Sequence, residues 1–195
     1  MTAFPKKVLG ILGSPRLKGN TADLLDAVLE GAEVTGAEVE RLDLVKMRID
    51  PCVECRKCDA TATCAVKTDD MQEIYGRVRQ VDAIVLATPI FFMGVSSQTK
   101  AMIDRFQSHW VERFVLGRRA YEGRPRPRGL FVACAGSPKP IVFDPARHVV
   151  RAFFAAIDYE YAGEVLLGFT DDPELAPRKK EALESARLAG RALVE

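Results

Sequence analysis

The sequence predicts an α/β fold: a doubly wound, five-stranded parallel sheet with helices on both faces. Two observations carry this expectation. Short apolar runs suited to buried strands alternate with segments whose apolar residues recur at helical spacing. The alternation runs from end to end, with no repeat, low-complexity tract or linker to divide it. The chain has 195 residues, 48% of them hydrophobic, which suits a single domain over 1–195 with a sizeable core.

Val8–Gly13 reads as a buried first strand. A helix over Thr21–Val34 follows, with Leu24, Leu25, Val28, Leu29 and Ala32 on one face. Ala37–Leu42 is a weaker second strand. Asp69 and Asp70 look like cap and first-turn acids for a helix carrying Met71, Ile74, Tyr75 and Val78. Ala83–Ala87 is a strongly apolar third strand. Ser96 or Ser97 can cap the next helix, which carries Met102, Ile103 and Phe106. Leu130–Ala135 is the fourth strand, and Val149, Val150, Phe153, Phe154 and Ile157 mark the fourth helix. Tyr159–Leu167 is the fifth strand. A fifth helix starts near Glu174 and carries Ala182, Ala186, Ala189 and Leu193.

Two segments exceed what a tight connection needs: a cysteine-rich insertion over 43–68 and an Arg-rich stretch over 110–128. Long loops in compact domains are commonly functional. The formal net charge of +1 argues against binding to nucleic acid or membrane by overall charge. The stretch Val8–Leu12 is too short for a signal-peptide core. Ala83–Val95, the longest uncharged apolar run, contains a Pro and falls short of the ~20 residues of a membrane span. A cytoplasmic location is therefore expected. There the crowding of cysteines favours a metal or redox site over a disulfide framework.

The first strand runs into Gly13-Ser14-Pro15-Arg16-Leu17-Lys18-Gly19-Asn20-Thr21. A strand feeding a helix N-terminus offers free amides and a favourable dipole to an anion. Ser14, Asn20 and Thr21 add short side-chain donors, and Arg16 adds a charged fork. Neither G-x-x-x-x-G-K-[ST] nor G-x-G-x-x-G is present, which disfavours ATP and Rossmann dinucleotide sites. An ordinary strand-to-helix turn is the competing reading.

This loop resembles the phosphate loop of the NAD(P)H-dependent FMN reductase group of flavodoxin-like proteins. So does Thr88-Pro89-Ile90-Phe91-Phe92-Met93-Gly94-Val95, followed by Gln98, Lys100 and Ile103-Asp104-Arg105. The resemblance implies a flavodoxin-like fold of strand order 2-1-3-4-5 that binds FMN. It implies the phosphate on Ser14, Arg16, Asn20 and Thr21 and the flavin ring along Pro89, Ile90, Phe91, Phe92, Met93 and Gly94. Ala135 and Gly136, at the end of the fourth strand, are expected to close the other side of the ring. NAD(P)H is the expected donor. A homodimer or homotetramer is expected, with an electron-transfer partner such as a ferredoxin.

Cys52-x-x-Cys55-x-x-Cys58-x5-Cys64 is the sharpest signal. Four thiolates in so short a segment can wrap one compact centre. The tandem C-x-x-C steps resemble ferredoxin cluster loops. Within the flavodoxin-like group they resemble the iron–sulfur flavoproteins, which implies a 4Fe–4S cluster on these four residues. Tetrahedral zinc and reversible disulfides or free thiols remain as alternatives. The second strand neighbours the first, so the segment is expected to rise from the same sheet edge as the phosphate loop.

Cys134 reads as a buried small hydrophobe, and His109 and His148 as structural residues. Arg118, Arg119, Arg124, Arg126 and Arg128 could meet nicotinamide-cofactor phosphates, an acidic partner, or only solvent. Three functions stay open: an iron–sulfur flavoprotein, an NAD(P)H-dependent FMN or quinone reductase without a cluster, and a non-catalytic zinc-stabilised binding module.

Overall fold

The three most apolar strands are buried along nearly their whole length, as strands covered on both faces must be. They are β1 (Lys7–Leu12), β3 (Ala83–Pro89) and β4 (Arg128–Cys134). With the half-exposed edge strands β2 (Glu38–Asp43) and β5 (Glu160–Leu167) they form one parallel sheet in the order β2-β1-β3-β4-β5. The computed structural model describes residues 5–172 and 175–195. The predicted strand order holds, and every strand lies within a residue or two of its expected bounds.

Strand side chains alternate between faces, and the core divides accordingly. Leu9, Ile11, Ile84, Leu86 and Phe131 face one layer, which includes residues of α2 (Met71–Val78), α3 (Ser97–Arg105) and α5 (Asp144–Ala156). Val8, Leu12, Val85 and Val132 face the other layer, with α1 (Asn20–Val34) and α6 (Leu175–Val194). The expected start of the last helix, Glu174, lies outside the described residues.

Two expectations need correction. The segment after α3 is not all loop. Phe106 bends the chain into a further short helix, α4 (Gln107–Trp110), and then a wide π-type turn over Val111–Val115. Burial of Phe106, Ser108, His109 and Val111 holds this extension onto the core. Nor do Asp69 and Asp70 serve as simple caps. Asp70 stands at the N-cap of α2, but its carboxylate accepts from the Arg48 N–H at 2.7 Å.

The Arg-rich stretch lies at the amino edge of the sheet. The Arg128 N–H donates to the Asp82 carbonyl just before β3, and Arg119 pairs with Asp158 just before β5. Arg124, Arg126 and Arg128 share a surface hollow there with Lys6 and Arg79. That edge is opposite the carboxyl edge on which the predicted flavin loops lie.

Candidate functional site

β1, β3 and β4 end together at the carboxyl edge, on both sides of the β1/β3 switch point where doubly wound sheets bind ligands. The first loop is held to the sheet by the Gly13 N–H, which donates to Ala87 O at 2.7 Å. Ser14 Oγ accepts from the Arg16 N–H at 3.1 Å. Gly19 occupies the N-cap of α1, and no side chain caps that helix. Its first-turn amides and positive dipole end are thus left for an anion. Ser14 and Thr21 are buried, Asn20 is half-buried and Arg16 is exposed.

The second loop is bolted to the first through α3. The Ser96 hydroxyl caps α3 by accepting from the Thr99 N–H at 3.2 Å, and it donates to the Gly13 carbonyl. The Ser96 N–H donates to Thr88 Oγ1 at 3.0 Å. Gly13 tolerates no side chain, because a Cβ there would stand 1.8 Å from Thr99 Oγ1.

Pro89 and Ile90 continue β3, with the Ile90 N–H donating to Cys134 O at 2.8 Å. Phe91 and Gly94 then exchange hydrogen bonds of 3.0 and 2.9 Å and close a tight turn. Its two central residues, Phe92 (φ 48°) and Met93 (φ 64°), are left-handed. Such turns normally use Asn-Gly, and a bulky residue there costs about 1–2 kcal/mol. Phe92 is fully exposed, and Phe91 and Met93 are about half exposed. The aromatic pair is therefore not core packing: the loop presents it outward at the carboxyl edge. The third loop follows β4. Ala135 is buried in the core, and Gly136 makes room for the Asp171 carboxylate, which would lie 2.0 Å from a Cβ.

The cysteine segment is an excursion with a sewn neck. Its two ends run past each other: the Asp70 N–H donates to Arg48 O at 3.0 Å, and the Asp50 N–H donates to Asp69 Oδ2 at 3.0 Å. Buried Arg105, the last residue of α3, fastens both sides. One terminal nitrogen donates to Asp50 O at 2.8 Å, the other to Val66 O at 3.2 Å, and both pair with the Asp69 carboxylate. Burial pushes the Asp69 carboxyl up, but hydrogen bonds from Arg105 and the Asp50 amide prevail and hold it below the usual range.

Between these ends, Cys52, Cys55, Cys58 and Cys64 line one cavity of about 350 Å³, together with Arg105 and Trp110. All four thiols are free. A single water needs only about 10–15 Å³ of such space, so the cavity suits a multi-atom group better than a lone ion. Among the described residues, no group of three or more His, Cys, Asp or Glu side chains is arranged to hold a metal ion. Glu54, Arg56 and Ala62 are left-handed. Turns of this kind gather backbone amides around anionic groups in phosphate and Fe–S sites. Burial pushes the Cys58 thiol up, and neighbouring Asp59, Cys64 and Cys52 push it further. In its donor chemistry and its room the segment fits a thiolate-held cluster.

The segment leaves β2 at the carboxyl edge, as expected, but its cavity does not sit there. It lies beside the far end of α3, whose nine residues span roughly 13 Å. One helix thus touches the phosphate loop at its first turn and the cysteines at its last. Sequence reading gave Arg105 and Tyr75 no part in the cysteine segment and took Asp69 only as a cap or first-turn acid of the following helix. The available signal was a charge inside the buried stripe Thr99, Met102, Arg105 of α3. Cys134 is no ligand of this cavity. It lies in β4, where burial pushes its thiol up to about 12.

A parallel sheet in this order, with a bare helix N-terminus and two further loops at its switch-point edge, defines a flavodoxin-like α/β protein. Residues 6–140 match the NADPH-dependent FMN reductase family, and the chain belongs to that family. An iron–sulfur flavoprotein of Archaeoglobus fulgidus is 42% identical over 99 residues, 51% of this chain and 44% of that protein. One of Methanocaldococcus jannaschii is 38% identical over 99 residues, 51% of each chain. The matched stretch thus spans about half the length of these curated relatives. Among solved structures, an NAD(P)H:quinone oxidoreductase from Methanothermobacter marburgensis superposes with a TM-score of 0.76 at 21% identity, covering 98% of both chains. An FMN-dependent NADH-azoreductase from Bacillus anthracis, solved with FMN, gives 0.73 at 16% identity and covers 97% of this chain and all of that one. At these identities the likeness concerns the fold.

Proposed function

We propose that this chain is an FMN-dependent oxidoreductase that exchanges electrons between NAD(P)H and a one-electron carrier such as a ferredoxin, with a 4Fe–4S cluster held by Cys52, Cys55, Cys58 and Cys64. The observation that carries the reading is the opening of all four cysteines onto one cavity, beside the helix that braces the phosphate loop. Bound here, FMN supplies the exchange between two-electron hydride chemistry and single electrons, and the cluster supplies a single-electron relay. The chain supplies position. The uncapped start of α1, with Ser14, Asn20, Thr21 and exposed Arg16, suits the phosphate. Pro89–Gly94 offers turn amides and apolar side chains along the ring, and Ala135 and Gly136 bound its other side. Outward-facing Phe92, with exposed Trp110, Phe114 and Val115, supports assembly into a homodimer or homotetramer.

Flavin, iron, sulfide and zinc content of protein purified without oxygen tests the reading. Flavin with iron and sulfide in equal amounts is expected. Flavin alone would favour a cluster-free FMN or quinone reductase, a reading that the full-length likeness to the quinone oxidoreductase fold keeps in play. One zinc and no flavin would favour a binding module.

A further inference from the structure

We propose that Arg105 is the positioning residue of the cysteine-held centre: its guanidinium clamps both ends of the segment and sets a donor and a positive charge beside Cys64. This rests on the cluster reading above. Arg105 is 1% exposed, and four of its five N–H donors are engaged: two with Asp69, one with Asp50 O and one with Val66 O. Asp50 lies two residues before Cys52, and Val66 two after Cys64, so the clamp closes on the cysteines from both directions. The fifth donor, Nε–H, is buried with no partner. A buried donor left unpaired is costly, and Arg105 lines the thiol cavity. Cys64 lines that cavity together with Arg105. The Tyr75 hydroxyl, which donates to the Arg105 carbonyl at 2.6 Å, borders the same sulfur. A thiolate or inorganic sulfide in the cavity is the acceptor this geometry suits, and hydrogen bonds to sulfur tune a cluster's potential.

Only arginine presents a planar five-donor fork; lysine keeps the charge but not the fork. Arg105→Lys and Arg105→Gln therefore separate the two contributions. Both variants should keep FMN, whose loops Arg105 does not touch. In cluster-free protein, limited proteolysis between residues 51 and 68 should speed up by about tenfold or more in both, because cleavage follows the open population and buried bonds to a charged group are lost. In reconstituted protein, both should retain several-fold less iron and sulfide after gel filtration. The midpoint potential of the remaining cluster should fall for Gln and fall less for Lys, since removing a positive charge disfavours the reduced form. Wild-type proteolysis rates and iron retention in both variants would overturn the proposal. If wild-type protein takes up no cluster, the cluster reading fails on its own account, and the proteolysis rates still decide the clamp. If the Gln variant does not fold, the Lys variant decides both.

Discussion

His109 shows how one burial decision becomes a pH dependence. Its ring packs against Tyr75 and Phe106, its Nδ1 meets Ser108 Oγ at 3.2 Å, and its Nε2 is buried without a partner. Burial, helped by the charge of Arg79, lowers its pKa from 6.5 to about 4. The unfolded chain therefore binds the proton more readily than the folded one between about pH 6.5 and 4. Stability is at its full value above that window and falls as pH drops through it, by at most roughly 3 kcal/mol at 1.36 kcal/mol per unit. Chemical denaturation of wild type and His109→Gln at pH 7, 5.5 and 4.5 checks this: the difference between them should shrink or reverse as pH falls. A constant difference would refute it. Arg16 and Asn20 make the complementary case of side chains with little to stabilise in the free protein. Arg16→Ala with Asn20→Ala should leave the thermal midpoint nearly unchanged and weaken FMN binding by about tenfold or more, the loss of one or two charge-assisted bonds. Flavin titration reads this directly, and an unchanged affinity would remove the phosphate-loop assignment.

At the scale of elements, the tight turn at Phe92–Met93 and helix α3 matter most. Two bulky residues held left-handed on an exposed turn are a local cost that the fold does not repay through core packing. Phe92→Gly should therefore stabilise the cofactor-free protein by about 1 kcal/mol, read as a higher thermal midpoint, while FMN affinity fails to rise with it. A fall in stability would show that the strain is compensated within the free fold. The contrast between this turn and α3 shows what the sequence could reveal. The strands and the Gly13–Thr21 loop were legible because local periodicity and turn chemistry encode them, and the strand order followed from the family resemblance. The clamp was not, because Arg105 and Asp69 are 36 residues apart and their pairing leaves no local pattern. Asp69 read as a helix cap for the same reason: next to Met71 an acid looks like a cap, and only the returning chain at Asp50 gives it another partner. The break of α3 into α4 was likewise hidden, since the apolar stripe continues through Phe106 and Val111 while the backbone changes its winding.

For the whole molecule, the question is how independent the two candidate cofactor sites are. The sheet core draws nothing from residues 51–68: both hydrophobic layers close without them. The neck of the cysteine segment is sewn by backbone and side-chain bonds of Arg48, Asp50, Asp69, Asp70 and Arg105. The loops proposed for the flavin follow β1, β3 and β4 instead. Changing any one of Cys52, Cys55, Cys58 or Cys64 to Ser should therefore abolish retained iron and sulfide and spare FMN content and the far-UV spectrum. A cubane cluster takes four thiolates, and the cavity offers that number with none to spare. Cys134→Ser is the internal control. Its thiol is buried in β4, apart from the cavity, so it should keep the cluster at a modest cost in stability. Single variants made and assayed without oxygen, with iron, sulfide and flavin measured on the same samples, decide the matter. Loss of the cluster in Cys134→Ser with its retention in Cys64→Ser would overturn the ligand set. Loss of FMN in every cysteine variant would show instead that α3, which touches both sites, carries the disturbance from one to the other.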